Sequence, residues 1–476
     1  MIDLLLHGGT VVDGTGGPAF RADVGVSGGH IGFIGSANAP PARHTLDVTG
    51  QVIAPGFIDS HAHDDWAVLA RPEMRPKVSQ GVTTVINGNC GNSLAPYPPG
   101  DAPPLPLRAV EPQYRFPAFP GYLDHLEAAA SSVNVASLIG HTALRVLHVE
   151  DLARPALAHE IAAMRSATRD ALAAGALGLS TGTFYPPAAA ATAQEIVGVG
   201  ADLAEWGGVY ATHMRDEGDD VLQSIDEASR IAGQLGVSLV ISHHKVVGAR
   251  NFGRTADTLR KIGLLRETQA VCMDCYPYTA SSSLLRLERL ALCKDVIVTS
   301  SRAMPEVAGR SIDQLAAQWE CSREEAMRRV MPGTGMYFLM DEGDVARVLA
   351  HPATMVGSDG IPADAYPHPR LWGTFARVLG RYCREQQLFS LEAAVHKMTG
   401  MTAAAFGLAG RGRVQDGYAA DLVVFDPGRV IDIATYEKPE QASEGISLVF
   451  VNGECVWRDG EHTGARPGRL LRRTHP

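Results

Sequence analysis

Two histidines two residues apart, His61 and His63, follow an apolar run, Gly56-Phe57-Ile58-Asp59-Ser60. Side chains alternate between the two faces of an extended strand, so the two imidazoles are predicted to point the same way. Two parallel imidazoles at the end of a strand can bind one metal ion. Because further candidate ligands follow other predicted strands, the sequence predicts a metal site.

The further candidate ligands also stand at predicted strand ends: Cys90, His141, His213, His243 and Asp359. A zinc ion takes about four or five ligands, so the set is too large for one ion. We expect two adjacent metal positions that share a ligand, or one filled position beside a weak one. Cys90 is the natural shared ligand, because a thiolate has several lone pairs and a neutral imidazole has one to give. His141 stays open as a ligand, a substrate contact or a packed loop residue.

Asp359 ends the eighth predicted strand within Gly357-Ser358-Asp359-Gly360, where the glycines leave its carboxylate room to reach a metal-bound water. Zinc lowers the pKa of bound water from 15.7 to about 7, which makes hydroxide available at neutral pH. Asp359 would then accept the proton and pass it to the leaving group. The structural alternative for this residue is a helix N-cap.

The elements that must position these residues are strand-like runs that alternate with amphipathic helices between residues 56 and 408. The runs fall at 57–60, 82–86, 133–139, 176–180, 208–212, 237–242, 270–274 and 353–357. The helical patterns fall at 66–79, 121–130, 156–174, 192–206, 218–235, 255–267 and 373–387. Eight strand-like runs, most of them followed by a helical pattern, favour a (β/α)8 barrel, an α/β fold, over a doubly wound sheet.

Short β-rich runs before residue 56 predict a small antiparallel sheet, and Asn452-Gly453 predicts a hairpin after the run 447–451. The runs before residue 56 and after residue 408 are predicted to pair into one small β-sandwich domain, formed by residues 1–55 and 409–476. Two segments interrupt the barrel, residues 56–408. Residues 93–120 are rich in proline and predict a long ordered loop over the mouth of the active site. Residues 281–345 carry two helical patterns and predict a helical insertion between strands seven and eight.

Composition excludes some partners. A net charge of −10 offers no basic field for a nucleic acid, and no apolar run approaches the length that crosses a bilayer. Seven cysteines are an odd and sparse set, which fits reduced thiols in a cytoplasmic protein. The pair Cys272 and Cys275 has no second pair beside it and lies in a predicted strand, so we do not expect a redox or zinc pair there.

With His61-x-His63, His213, His243 and Asp359 in this order, the chain resembles the amidohydrolase superfamily. Many members bridge two metals with a carboxylated lysine from strand four, but here that strand ends Leu177-Gly178-Leu179-Ser180-Thr181. Cys90, within Ile86-Asn87-Gly88-Asn89-Cys90-Gly91, instead resembles the D-aminoacylase branch, the N-acyl-D-amino-acid deacylases. The resemblance extends over essentially the whole chain, through Ser242-His243-His244-Lys245 and Cys275-Tyr276-Pro277-Tyr278 to Pro367-His368-Pro369-Arg370-Leu371-Trp372-Gly373.

The resemblance implies roles for these residues. Cys90, His213 and His243 would hold one tightly bound zinc ion. His61 and His63 with Asp359 would define a possible second, weaker site, and Asp359 would be the catalytic acid and base. The residues implied to hold the carboxylate and amide of the substrate are Lys245, Tyr276, Arg370, Tyr185 and Ser282.

The implied activity is zinc-dependent hydrolysis of small N-acyl-D-amino acids to a carboxylate and a free D-amino acid. Metal-bound hydroxide would attack, with Asp359 as general base and then acid. Two alternatives remain at this stage: a cyclic amidase of the hydantoinase or dihydroorotase kind, and a non-catalytic scaffold of the same fold. Arg286 and Arg289 would favour an acidic substrate side chain, or they are ordinary arginines on a helix surface.

Overall fold

The computed structural model describes residues 2–37, 39–100 and 103–473. Its centre is a barrel of eight parallel strands, called barrel strands one to eight below: Phe57–Asp59, Val82–Asn87, Asn134–Ser137 with Ile139–Gly140, Gly178–Gly182, Val209–His213, Leu239–Ile241, Val271–Cys275 and Thr354–Val356. Neighbours in this order pair in parallel. A hydrogen bond from Ser60 N to Val356 O, at 3.4 Å, joins the first strand to the eighth. The predicted (β/α)8 barrel is confirmed.

Helices follow the strands around the outside: Ala67–Ala70, Arg75–Val78, Phe119–Ala128, His141–His148, Ala158–Ala173, Ala193–Val199, Val221–Leu235, Thr255–Leu265, Glu342–Ala350 and Arg370–Arg377, which continues as a π-helix over Val378–Glu385. The single helix predicted at 66–79 is wrong. It breaks into two short helices because Pro72 disfavours helical geometry at Arg71 and lacks a backbone N–H. Helices Leu391–Met398 and Gly400–Phe406 complete the barrel.

Strands from both ends of the chain form two further sheets. One sheet contains Ile2–His7, Asp23–Ser27, His30–Gly35 and Ala42–Asp47. The other contains Thr10–Val11, Phe20–Arg21, Val52–Pro55, Leu422–Phe425, Ile446–Val451, Glu454–Arg458 and Glu461–His462. Side chains of both sheets share one apolar core, which includes Leu6, Val24, Ile53 and Val424.

The N- and C-terminal segments pair directly, as predicted, because Leu422–Phe425 runs antiparallel to Val52–Pro55. The hairpin predicted at Asn452-Gly453 is also present, between the strands Ile446–Val451 and Glu454–Arg458. The N-terminal sheet is mixed rather than antiparallel, because Ala42–Asp47 runs parallel to Ile2–His7.

The segment between barrel strands seven and eight contains the two predicted helices, Ile312–Gln318 and Arg323–Val330, and a short helix, Leu287–Leu290. It also contains a three-stranded antiparallel sheet, which the sequence did not reveal: Ala280–Leu284, Val296–Ser301 and, in the centre, Gly333–Phe338. Serines in the first strand and glycines in the central strand have low β-propensity and mask the pattern. The domain limits 1–55 with 409–476, 56–408 and 281–345 remain a proposal.

None of the helices in the described parts of the chain combines the length and apolar character needed to cross a membrane.

Candidate metal and substrate site

The six ligands predicted from the sequence lie at or just beyond the carboxyl ends of barrel strands one, two, five, six and eight: His61 and His63, Cys90, His213, His243 and Asp359. Parallel strands of a barrel all run the same way, so their carboxyl ends gather at one face. The structure therefore brings these six side chains together, although they come from five separate strand ends.

The donor atoms form three overlapping groups, in each of which the atoms lie within 4.8 Å of one another: His61, Cys90 and His243; His61, His63 and Asp359; and His213, Glu217 and His243. The Sγ atom of Cys90 lies 3.3 Å from Nε2 of His61 and 3.3 Å from Nε2 of His243. Because His61 and His243 each belong to two groups, the donors form one continuous set that is large enough for two ions.

Asp359 connects the outer histidines. Its Oδ1 atom lies 3.1 Å from Nε2 of His63 and 3.6 Å from Nε2 of His61. Burial alone would raise the pKa of this carboxyl, but Arg370 and His63 hold that pKa well below its usual range. Asp359 is therefore a carboxylate at neutral pH, the form that binds metals and accepts protons.

Cys90 is fully enclosed at the centre of the donor set. Burial raises the pKa of a thiol, yet His61 and His243 hold the pKa of Cys90 well below its ordinary value. The thiolate is the form of cysteine that binds metals. No lysine lies in the fourth strand, Gly178–Gly182, and the thiolate of Cys90 is an anion that lies between the imidazoles of His61 and His243.

Three of these residues have backbones in the left-handed region: Cys90 with φ 55°, His243 with φ 36° and Asp359 with φ 48°. Few residues other than glycine adopt this conformation, and it costs free energy that the surrounding structure must supply. Residues 242–243 form a turn after the strand Leu239–Ile241, and Lys245 follows in an irregular segment. Lys245 nevertheless contacts His243, with 2.8 Å between Nζ and Nδ1.

Two carboxylates that the sequence analysis missed orient the ligands. Asp274, in barrel strand seven, lies with its carboxylate 3.2 Å from Nδ1 of His61 and accepts a hydrogen bond of 2.8 Å from the backbone N–H of His243. Oε1 of Glu217 lies 3.1 Å from Nδ1 of His243. A carboxylate that accepts the Nδ1 proton leaves the Nε2 lone pair free for a metal. The position of Asp274 near a strand end was the available signal.

Neither ring nitrogen of His213 makes a hydrogen bond within the described residues, although the side chain is buried. Its Nε2 atom lies 3.9 Å from Glu217 Oε2, beyond hydrogen-bonding distance. Buried polar atoms without a partner are rare in native proteins and call for an explanation such as an ion. Together with the thiolate and imidazole donors beside it, this orphaned ring fits a zinc ion.

The predicted substrate contacts divide into two sets. Arg370 is fully buried, its guanidinium stacks on the ring of Tyr276 at 4.5 Å, and Nη1 lies 2.9 Å from Oδ2 of Asp359. Within the described residues, Nε and Nη2 of Arg370, the hydroxyl of Tyr276 and the hydroxyl of Ser282 make no hydrogen bond. These buried donors are available to a carboxylate or an amide.

Lys245 is differently engaged, because its Nζ atom lies 2.6 Å from Oε1 of Glu217. Its charge is therefore compensated within the protein. Tyr185 packs against His213, with 4.9 Å between the ring centroids. Tyr185 and Ser282 also line a cavity of about 650 Å³ that opens beside His63 and Asp359.

Two further histidines and the cysteine pair lie outside the donor set. Nε2 of His141 lies 3.1 Å from Oε1 of Glu195, and His244 lies 2.8 Å from the hydroxyl of Thr258. Cys272 and Cys275 are free thiols. Burial raises the pKa of each of these thiols to about 12, which makes them poor nucleophiles and ligands.

The sequence matches the model of the amidohydrolase family, designated Amidohydro_3, over residues 44–270 and 314–457. It is also 51% identical to a D-aminoacylase of Alcaligenes xylosoxydans xylosoxydans, an alignment that covers 99% of this chain and 98% of the relative.

Two solved structures agree with this assignment. A crystal structure of D-aminoacylase, described as defining a novel subset of amidohydrolases, superposes with a TM-score of 0.97 at 51% identity and covers 99% of this chain and 100% of the other. An N-acyl-D-glutamate deacylase of Bordetella bronchiseptica, complexed with zinc and a phosphonate inhibitor, superposes with a TM-score of 0.95 at 44% identity and 99% coverage of both chains. The protein is therefore a metal-dependent hydrolase that belongs to the amidohydrolase family, within the group of D-aminoacylases and N-acyl-D-amino-acid deacylases.

Proposed function

We propose that the protein hydrolyses N-acyl-D-amino acids, small molecules, to a carboxylate and a free D-amino acid, with zinc as its metal. The observation that carries the proposal is the buried guanidinium of Arg370. Its Nη1 pairs with Asp359 of the donor set, 2.9 Å from Oδ2, and its Nε and Nη2 make no hydrogen bond within the described residues, so they can bind a carboxylate. The family relatives named for this activity support the substrate class.

Zinc fits the donors of this chain. Cys90, His213 and His243 would hold the tightly bound ion, and His61 and His63 with Asp359 would form a second, weaker site. Support comes from the orphaned nitrogens of His213 and from the 3.3 Å approach of Cys90 Sγ to histidine nitrogens of both positions. The chemistry that zinc supplies when bound is that of a Lewis acid, which polarises a carbonyl and lowers the pKa of water to about 7.

Asp359 is the proposed proton carrier. Its carboxylate is ionised and faces the histidines of the weaker site, so it can take the proton of the attacking water. The protonated carboxyl can then give that proton to the departing amine, which leaves as the free D-amino acid. The same side chain thus acts as general base and general acid in the two halves of the reaction.

The carboxylate of the substrate would bind Arg370, because a guanidinium presents a planar pair of donors that matches a carboxylate. Tyr276 lies under that guanidinium and offers its unpartnered hydroxyl to the same group. Ser282 and Tyr185 at the cavity would contact the amide. Lys245 would contribute less to binding the substrate's carboxylate than the sequence suggests, because Glu217 compensates its positive charge.

The test is a comparison of N-acetyl-D-leucine with N-acetyl-L-leucine, assayed with protein stripped by a chelator and then supplied with zinc. We expect no turnover without metal, and release of D-leucine after zinc is restored, with the L-isomer at least tenfold slower. Hydrolysis that survives chelation would contradict the metal requirement. Equal hydrolysis of a hydantoin, or no hydrolysis of either isomer at full zinc content, would refute the substrate assignment.

A further inference from the structure

The cavity beside His63 and Asp359 is much larger than an acetyl group requires. At about 650 Å³ it falls within the range of pockets that enclose drug-sized ligands. One wall is the proline-rich loop, which contributes Leu94, Pro96, Tyr97, Pro98, Leu105, Pro106, Leu107 and Val110. The insertion contributes Leu284 together with the hydroxyl side chains of Ser282, Ser283, Ser300 and Thr334. The apolar part of the lining therefore comes mainly from the proline-rich loop, and the insertion adds hydroxyl groups.

Most charged side chains of the lining are already engaged with protein groups. Arg108 donates a hydrogen bond of 2.7 Å to Asp364, and Glu111 accepts one of 3.1 Å from the indole of Trp66. Arg71 stacks over the same indole at 5.3 Å. Asp65 accepts hydrogen bonds from two backbone N–H groups. Arg302 is exposed to solvent. Little of the lining charge is thus left for a ligand.

The apolar wall is continuous with the reacting centre. Leu105 packs against a small buried cluster made of Cys90, Tyr185 and Leu284. Arg370, Tyr276 and Lys245, which would face the substrate's carboxylate, do not line this cavity, whereas His63 and Asp359 do. A substrate whose carboxylate lies at Arg370 has two other arms: the side chain on the α-carbon next to the carboxylate, and the acyl chain beyond the scissile amide. The acyl chain is the arm farther from Arg370, so it is the one that a cavity lined by Asp359 but not by Arg370 would receive.

We propose that the cavity is an acyl-chain subsite and that the enzyme takes N-acyl-D-amino acids with unbranched apolar acyl groups of about four to eight carbons in preference to acetyl. The inference rests on the proposed function, since it names the substrate class of the same site. The chain lies between the proline-rich loop and Leu284 and displaces water from apolar surface. Burial of each additional methylene then strengthens binding in the transition state as well as in the complex.

The first test is kcat/KM for N-acetyl-, N-butanoyl-, N-hexanoyl- and N-octanoyl-D-leucine. We expect a rise of two- to fourfold per added methylene up to hexanoyl, where fourfold corresponds to about 0.8 kcal/mol for a fully buried CH₂. A parallel series holds the acetyl group constant and lengthens the side chain from D-alanine to D-norleucine. If the acetyl substrate is hydrolysed but kcat/KM does not rise with the length of the acyl group, the inference is overturned. A rise confined to the side-chain series also overturns it, because the cavity would then hold the side chain.

The second test places a charge in the proposed subsite. Leu105→Glu should remove most of the rise in kcat/KM from the acetyl to the octanoyl substrate, because the acyl chain then meets a carboxylate. Leu105→Ala should reduce that rise, because the chain then faces a gap. Leu264→Glu is the matched control, since Leu264 is 61% exposed and does not line the cavity. The inference is overturned if the ratio of kcat/KM for the octanoyl and acetyl substrates is the same in both Leu105 variants as in the control, because the acyl chain would then lie elsewhere.

The third test separates this inference from the proposed activity, because it needs no turnover. Octanoate and acetate are titrated calorimetrically into the zinc-loaded wild-type protein and into Leu105→Glu. Octanoate should bind at least tenfold more tightly than acetate to the wild-type protein, and the difference should shrink in the variant. Equal affinities would overturn the subsite even if N-acetyl-D-leucine is hydrolysed. Tight octanoate binding without any hydrolysis would refute the activity and leave the subsite standing.

Discussion

The guanidinium of Arg370 lies 2.9 Å from the carboxylate of Asp359, measured from Nη1 to Oδ2, and both side chains are almost fully buried. The residue proposed to bind the substrate's carboxylate therefore also sets the charge of the residue proposed to move its proton. Arg370 is a major reason why the pKa of Asp359 lies well below its usual range, against the effect of burial. Binding of the substrate and proton transfer are thus coupled through one contact.

Arg370→Lys should lower kcat/KM for N-acetyl-D-leucine by roughly 10- to 100-fold, because an ammonium cannot replace the two parallel donors of a guanidinium. Steady-state kinetics are the measurement. Arg377→Lys is the matched control, since Arg377 forms a similar pair with Asp432, 3.0 Å apart, away from the donor set. An unchanged kcat/KM in the Arg370 variant would remove this residue from substrate binding.

Asp359→Asn should lower kcat by roughly 100- to 10,000-fold, the usual contribution of a general acid or base. The amide keeps the shape of the side chain but cannot accept a proton. Zinc held by Cys90, His213 and His243 should remain bound, so metal content is measured beside turnover. Asp432→Asn is the control for loss of a buried carboxylate paired with an arginine. Near-normal kcat would exclude Asp359 as the proton carrier.

Cys90→Ser should weaken zinc binding by at least about 100-fold, because loss of a ligand exceeds the 10- to 100-fold effect of losing a supporting partner. The zinc content after dialysis and the turnover rate should fall together. Cys383→Ser is the control, as Cys383 is a free, partly buried thiol in the π-helix. Full zinc content after dialysis of the Cys90 variant would refute a role for this thiolate in the metal site.

Lys77→Met should destabilise the fold by about 3–5 kcal/mol, because it leaves two carboxylates buried without a cation. The Nζ atom of Lys77 lies 2.7 Å from Asp59 and 3.0 Å from Asp64, and the lysine is fully buried. Asp59 in turn accepts hydrogen bonds from the backbone N–H groups of Ser358 and His61, so zinc affinity should also fall.

Urea midpoints and zinc affinity measure these two effects of Lys77→Met. Lys261→Met is the control, because Lys261 pairs with Asp226 in a partly solvent-exposed position, and surface pairs contribute at most about 1 kcal/mol. A midpoint for Lys77→Met equal to that of the control would show that the buried network adds no stability.

Much of the barrel and of the candidate site was predictable from local patterns. Strands such as Val82–Asn87, buried at every position, appear in the sequence as apolar runs, and eight of them imply closure. Once closure is assumed, residues at carboxyl ends of strands must meet, which is why His61, Cys90 and His243 could be grouped without coordinates. Local patterns did not reveal the strands of the insertion, because these strands are rich in serine and glycine, which have low β-propensity.

By itself, the sequence determined which donor types exist and on which strand ends they stand, because strand period and chain direction are local properties. Only the tertiary structure decided which atoms meet. Asp274 reaches Nδ1 of His61, Glu217 neutralises Lys245, and Lys77 lies beneath Asp59, because side chains distant in sequence pack into one interior. Such pairings depend on distances of a few ångströms across the barrel, which no periodicity along the chain encodes.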